Sequence, residues 1–264
     1  MEEKEWGLPQ ETLCGNKHGG LLHQFECADC TAWIVEPPEP LDADKGKRWF
    51  WVPEWPNAFP ARNGVCELLK LGYYMIHINV RGLCGNPEAV RKMKALYDVV
   101  RTLGFARRGA MIGMSLGGLY SFRYAATYPE TVGCIYADAP ACDLYYRHRK
   151  NRADAVEISR AYGVEDCPEQ LIEHPLSPLQ NYRPIIEAGI PLLMILGADD
   201  QVVPPELNGR LLAERWRAAG GEVELIERPS WGHHPHGLDD PAKIVRFVLR
   251  HTAGVNGLKT CEEK

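Results

Sequence analysis

The chain reads as an α/β protein with a mostly parallel central sheet, helices on both faces and a small helical cap. Three observations predict this. Short apolar runs alternate with segments whose apolar residues recur at helical spacing, the pattern of strand–helix–strand units. The run Ala110-Met111-Ile112 bends through Gly113-Met114-Ser115-Leu116-Gly117 into the helix-like Leu119–Ala126. Between Asp143 and about Glu187 the alternation lapses, which marks the cap.

Each element follows from local residues. The first twenty or so positions are polar, with Gly15, Gly19 and Gly20, and read as an irregular lead-in. Leu21–Glu26 and Thr31–Val35 are strand-like, with Ala28-Asp29 as a two-residue hairpin turn. Pro37–Lys47 is a loop and Arg48–Val52 the third strand. The helix over Arg62–Leu71 places Val65, Leu68 and Leu69 on one face. Tyr73–Val80 is the next strand, its His77 a packed core residue. Arg81–Pro87 then forms a loop at a strand's C-terminal end and rims the site. An amphipathic helix over residues 88–104 leads to the strand Arg108–Met114, and Val132–Asp138 is the strand after the bend. Within the cap, at residues 143–187, His174-Pro175 and Ser177-Pro178 break short helices. Ile190–Leu196 and Glu222–Glu227 are the last strands. Pro205–Ala219 is a helix opened by prolines. Asp239 or Asp240 caps a final helix over Asp239–Arg250, with Pro241 in its first turn. Thr252–Lys264 is polar and expected to fray.

Composition sets the bounds. A 264-residue chain that is 45% hydrophobic buries a full core and suits one domain over residues 1–264. A net charge of −5 gives no reason to expect nucleic acid as a partner. No apolar stretch approaches a membrane span. Met1–Trp6 lacks the basic and apolar regions of a secretory signal, so the expected compartment is the cytoplasm. Nine cysteines, an odd number, read as reduced thiols, several in or beside apolar segments. Cys27 and Cys30 have zinc or redox spacing but flank the hairpin turn, and no second such pair completes a zinc site.

The chemistry centres on Ser115. Five serines and 25 glycines predict about 0.04 chance occurrences of Gly-x-Ser-x-Gly, so the motif is informative. Glycines flank the serine because so sharp a strand-to-helix turn leaves no room for side chains. A serine hydroxyl needs a base, and the base needs an acid to orient it. On this turn they follow in the order acid, then histidine. The apolar run Ile190–Leu196 breaks at Gly197-Ala198-Asp199-Asp200, where Asp200 is the chosen acid. Asp199 beside it and Asp138, at another strand's end, are rivals. The last strand is followed by Gly232-His233-His234-Pro235-His236-Gly237. His233 is the chosen base, while His234 and His236 shape the loop or contact substrate. Three imidazoles in four positions also suit a metal. Pro235 and the tight spacing weigh against turning all three rings onto one ion, so no metal is assigned.

The oxyanion of an acyl-transfer intermediate needs amide donors. Leu116, the residue after the serine, supplies one. The other comes from the loop after the third strand. Pro53 and Pro56 have no N–H, which leaves Glu54, slightly favoured, and Trp55. In the cap, Arg147, Arg149, Lys150 and Arg152 form a basic cluster that would attract an anionic substrate, if it is not simply a solvated face. Tyr145 and Tyr146 beside it would stack on a sugar ring or pack in the core.

The order and spacing of Gly113–Gly117, Gly197–Pro204 and Gly232-His233 resemble the α/β-hydrolase superfamily. Gly113-Met114-Ser115 with Gly117-Gly118, Tyr136-Ala137-Asp138-Ala139-Pro140 and Gly232–Leu238 resemble a narrower bacterial branch. That branch lies near the dienelactone-hydrolase and prolyl-oligopeptidase-like serine hydrolases and includes some carbohydrate esterases. The resemblance covers residues 20 to 250 and implies Ser115 as nucleophile, Asp200 as acid and His233 as base. The expected activity is hydrolysis of a small-molecule carboxylic ester, a carbohydrate ester among the options, through an acyl-enzyme and with no cofactor. A thioesterase, or a peptidase or amidase, would use the same triad. Prolyl-oligopeptidase-like peptidases usually carry an additional domain, for which the chain leaves no room. A catalytically silent binding protein on this fold is the reading from another class.

Overall fold

The computed structural model describes residues 13–41 and 46–252. The start at Met1–Trp6 and the expected frayed tail beyond Thr252 lie outside the described residues. Among those described, nine strands form one sheet. They are β1 (Leu13–Lys17), β2 (Gly20–Cys27), β3 (Cys30–Glu36), β4 (Trp49–Trp51), β5 (Tyr74–Ile78), β6 (Gly109–Met114), β7 (Val132–Asp138), β8 (Leu192–Gly197) and β9 (Val223–Arg228). The helices are α1 (Val65–Lys70), α2 (Pro87–Thr102), α3 (Leu116–Thr127), α4 (Leu144–Lys150), α5 (Arg152–Tyr162), α6 (Arg183–Glu187), α7 (Gly209–Ala218) and α8 (Ala242–Thr252).

The strand order is β1-β2-β3-β5-β4-β6-β7-β8-β9. The pairs β1–β2, β2–β3 and β3–β5 are antiparallel, and from β5 through β9 every pair is parallel. The parallel strands read as unbroken apolar runs because both faces are covered. Successive side chains divide between two cores. Trp49, Trp51, Met111, Ile135, Ala137, Leu192 and Met194 join the core under α2, α3 and α7. Phe50, Ala110, Ile112, Cys134, Tyr136, Leu193 and Ile195 join the core under α1 and α8. The result is a helix–sheet–helix sandwich whose parallel strands all end at one edge.

The hairpin turn between β2 and β3 has Ala28 and Asp29 at φ 51° and 59°, the left-handed pair that a two-residue loop requires. Seven cysteines among the described residues, including Cys27 and Cys30, are free thiols. The final helix starts at Ala242, whose amide donates to Asp240 Oδ1 at 2.9 Å.

Two readings need correction. The lead-in is not wholly irregular, because Leu13–Lys17 pairs with β2. Polar residues serve on this edge strand because only the sheet ladder fixes its backbone. The helix drawn from Pro205 to Ala219 is two pieces: a 3₁₀ turn over Pro205–Leu207, then α7. Asn208 separates them, its Oδ1 accepting the Cys142 amide at 2.9 Å and the Asp143 amide at 3.2 Å. That side chain serves the segment after β7 instead of continuing a helix. Among the described residues no helix is long and apolar enough to cross a membrane.

Sheet packing leaves no slack beside Trp49, which is fully buried with its Nε1 donating to the Ala106 carbonyl at 2.7 Å. A Cβ on Gly109 would lie 2.3 Å from that indole. Gly109→Ala is expected to lower stability by roughly 1–3 kcal/mol, the usual penalty of overpacking, read as a lower urea midpoint at unchanged m-value.

Candidate active site

Four loops meet at the C-terminal edge of the parallel strands. The first is the bend after β6, where Ser115 sits at φ 51° and ψ −118°. Its amide donates to the Asp138 carbonyl at 2.8 Å, and its carbonyl accepts from Gly118 and Ala141, each at 3.0 Å. The glycines around it are required by contact. A Cβ on Gly113 would lie 2.5 Å from Ser121 Oγ, one on Gly117 2.6 Å from the Pro53 carbonyl, and one on Gly118 2.4 Å from Pro140 Cβ.

The loops after β8 and β9 are stitched together. The Ala198 amide donates to the Arg228 carbonyl and the Asp199 amide to the Trp231 carbonyl, both at 3.0 Å. Gly197 permits this approach, since a Cβ there would lie 2.3 Å from the Trp231 carbonyl oxygen. Asp199 is exposed, whereas Asp200 is buried and turned inward. His233 Nδ1 lies 2.7 Å from Asp200 Oδ2, and His233 Nε2 lies 3.1 Å from Ser115 Oγ. With the Asp200 carboxylate accepting the Nδ1–H hydrogen bond, Nε2 is left to accept from the serine hydroxyl. Asp200 Oδ1 accepts from the amides of Val202 and Val203 at 2.8 and 2.9 Å. Burial alone would raise the Asp200 carboxyl, but the His233 hydrogen bond and these amides hold it below the usual aspartate value.

The rival acid, Asp138, is fully buried and otherwise engaged. Its Oδ1 lies 2.6 Å from His236 Nδ1, and its Oδ2 accepts from the Gly237 amide at 2.8 Å and the Tyr136 hydroxyl at 3.0 Å. Asn63 Oδ1 also lies 2.8 Å from that hydroxyl. Arg62 and Arg228 finish the anchor, donating to the carbonyls of His236 at 2.8 Å and Gly237 at 2.6 Å. His236 is therefore a buried support of the loop, the first of the two roles expected of it from the sequence. Sequence reasoning missed Arg62, Asn63 and Arg228: their partners lie 174, 73 and 9 positions away, and nothing in the adjacent residues marks any of the three contacts.

The loop after β4 corrects another expectation. The Trp55 amide donates to the Pro53 carbonyl at 2.8 Å, so Trp55 is not free to serve an oxyanion. Glu54, at φ 61°, forms the apex of that tight turn, and among the described residues its amide has no acceptor. Leu116 opens α3, so its amide has no intrahelical acceptor. The loop is braced from the N-terminal hairpin: Lys17 Nζ donates to Asn57 Oδ1, and His18 Nε2 lies 2.8 Å from the Pro56 carbonyl. From β5, His77 Nδ1 lies 2.8 Å from the Val52 carbonyl, and burial lowers its pKa to about 4.

Arg147 is not available to an anionic substrate. It pairs with Glu157 and, at 3.2 Å, with Asp154, and its side chain is only 14% exposed. Lys150 also pairs with Asp154, at 3.6 Å, so two of the four cations in the basic cluster are matched by acids on α5, while Arg149 and Arg152 are exposed. Tyr145 is half-buried between His148 and Arg149, at 6.0 and 5.6 Å, while the Tyr146 hydroxyl reaches the Val202 carbonyl at 3.5 Å. Tyr146, more than Tyr145, thus adjoins the acid loop. The spacing argument against a three-histidine cluster also fails: one ring nitrogen each of His233, His234 and His236 lies within 4.8 Å of the others.

The Glu54 side chain is 2% exposed and has Arg81 Nε at 3.6 Å. Burial raises its carboxyl to about 7, with Arg81 opposing the shift. The native state therefore holds this proton more tightly than the unfolded chain, whose glutamate titrates near ~4.3. The stability this proton confers is complete at acid pH and is lost as pH rises through about 7. Glu54→Gln is expected to remove that slope. Urea midpoints at pH 5 and 8 should show the variant gaining on the parent protein at the higher pH.

Comparison with known proteins agrees with this geometry. The prolyl oligopeptidase family profile matches residues 93–254, more than half of the chain. The acylamino-acid-releasing enzyme of Rattus norvegicus is 24% identical over 237 residues, covering 80% of this chain and 31% of that enzyme. The chain thus spans about a third of that relative's length. An acylaminoacyl peptidase solved with Z-Gly-Gly-Phe-chloromethyl ketone superposes at a TM-score of 0.67 with 16% identity, over 94% of this chain and 43% of that one. Est1E from Butyrivibrio proteoclasticus superposes at 0.60 with 14% identity, over 88% of this chain and 98% of that one. These neighbours place the fold among the α/β-hydrolases.

Proposed function

The chain belongs to the prolyl oligopeptidase family of serine hydrolases, and on that premise we propose that it cleaves a small-molecule carboxylic ester through an acyl-enzyme on Ser115. One observation carries the reading: the continuous contact from Ser115 Oγ through His233 to Asp200, at 3.1 and 2.7 Å. His233 takes the hydroxyl proton as Ser115 attacks the carbonyl. Asp200 keeps the imidazole in the required tautomer and balances its cation. The Leu116 and Glu54 amides receive the oxyanion, aided by the positive end of α3. His233 then protonates the leaving alcohol and activates the water that frees the acid. An ester is a less demanding substrate for this relay than an amide, since an alcohol leaves more readily than an amine.

A second reading is cleavage of the bond after an N-acylated amino acid. It is favoured by the rat relative and the superposed peptidase, both named for that chemistry. Parallel kcat/KM values on aryl acyl esters, acyl thioesters, acetylated sugars and N-acetylaminoacyl anilides decide between them. Ester rates at least about 100-fold above anilide rates are expected; anilide rates equal or higher would replace the ester reading with the peptidase one. A fluorophosphonate probe should label the protein but not Ser115→Ala, and absence of labelling in both would leave a binding protein.

Ser115→Ala and His233→Ala should each lower turnover by about 10³-fold or more while keeping the fold. The two aspartates should separate. Asp200→Asn is expected to act mainly on kcat, whereas Asp138→Asn, which weakens a buried pair, should act mainly on the urea midpoint. The reverse pattern would make Asp138 the acid.

A further inference from the structure

The loop after β9 holds more imidazole than one base requires. His233, His234 and His236 form a triangle with ring centroids 4.7, 4.8 and 4.9 Å apart. Phe59 stacks on His234 at 5.7 Å and meets His236 edge-on at 5.6 Å, so both outer rings are held from one side. The proposed reaction uses neither His234 nor His236.

Two of the rings are prepared as metal ligands. A carboxylate that takes one ring N–H leaves the other nitrogen as a directed lone pair, the usual support of a zinc-bound histidine. Asp200 does this for His233 at 2.7 Å, and Asp138 does it for His236 at 2.6 Å. His234 is exposed and free to complete the set. One ring nitrogen of each of the three lies within 4.8 Å of the others. Zinc bonded to each at its usual ~2.0–2.1 Å would need the donor nitrogens roughly 3.4 Å apart, so from 4.8 Å the rings would close by up to about 1.4 Å. The two buried aspartates offset the ion's charge from outside the donor set. Imidazole nitrogens suit zinc, copper and nickel, while magnesium and calcium prefer oxygen.

We propose that His233, His234 and His236 bind a divalent transition-metal ion, zinc foremost, and that the bound ion shuts off hydrolysis. Coordination ties up the His233 lone pair that must accept the Ser115 proton, and Ser115 Oγ, 3.1 Å from His233 Nε2, is displaced or becomes a fourth ligand. The inhibitory half of the proposal rests on His233 being the base; the binding half does not.

The test uses the full chain, stripped with chelator and titrated with zinc chloride by calorimetry, and with cobalt(II) followed by its visible absorption. One ion per chain is expected, with a low-coordinate cobalt spectrum. His234→Ala should weaken zinc binding at least tenfold while keeping turnover in chelator within about threefold of the parent. Zinc should inhibit aryl-ester hydrolysis by the parent, chelator should restore it, and the variant should need at least tenfold more zinc. No calorimetric binding to the parent, or equal zinc affinity in His234→Ala, would overturn the site. Zinc binding that depends on His234 in a chain with no esterase or amidase activity would keep the site and remove the proposed reaction instead.

Discussion

The bend at Ser115 constrains the rest of the molecule. A serine at φ 51° and ψ −118° occupies backbone space that side-chain-bearing residues resist, at roughly 1–3 kcal/mol. Neighbouring elements hold it there. The adjacent strand takes its amide at the Asp138 carbonyl, the first turn of α3 and the start of the cap segment share its carbonyl, and three glycines bring Pro53, Ser121 and Pro140 into contact. Because Gly117 packs against the Pro53 carbonyl, the bend and the candidate oxyanion loop cannot move independently. The strained turn therefore fixes two things at once: where the hydroxyl points and which amides lie beside it.

The same close approach recurs at the second junction. Gly197 ends β8 with no side chain, so the backbone at Trp231 and Gly232 lies directly on it. Two amides of the acid loop then donate into the His233 loop. Asp200 and His233, 33 positions apart, are joined by main chain before their side chains meet. This is why a 2.7 Å contact persists at the tip of two loops. Arg62 and Arg228 supply the remaining support by donating to carbonyls further along the loop.

What the sequence revealed follows the same division. The bend, the strand ends and the histidine after the last strand were legible, because each is written in a few adjacent residues. Asp200 could be preferred to Asp199 but not proved, since burial of one and exposure of the other depends on the Trp231 contact. Glu54 could be preferred to Trp55 only slightly, because a turn one residue wide consumes the Trp55 amide and only backbone coordinates reveal that. Whether Arg147 attracts substrate or merely faces solvent stayed open in the sequence because Asp154 and Glu157, which pair with it, lie on the next helix and read there as ordinary surface acids. The role of Leu13–Lys17 was hidden for a related reason. Polar residues become an edge strand only when a neighbour supplies the ladder, and the brace from Lys17 and His18 reaches a loop about forty positions on.

Charge at the mouth is handled by pairing, and that narrows what can stabilise a transition state. Arg147 is matched within the cap, and Asp138 is matched by His236 and lies within 4.0 Å of Arg228. Glu54, packed near Gly117, is pushed to about 7 by burial, so its carboxyl is neutral across the acid half of the pH range. A full negative charge there would oppose the oxyanion that, in the proposed reaction, its own amide receives. With Arg147 paired and that carboxyl neutral, the charge developed in the proposed reaction falls to amide dipoles and the N-terminal turn of α3, with the exposed Arg81 guanidinium 3.6 Å from Glu54 as the adjoining cation. The amides and that turn are fixed before substrate arrives and need no reorganisation during the reaction, the condition under which dipoles in a dry site stabilise charge best. The paired charges around the mouth thus act in the same direction as the strained serine: each removes a competing field or a competing motion from the point where the proposed reaction would hold its acyl carbonyl.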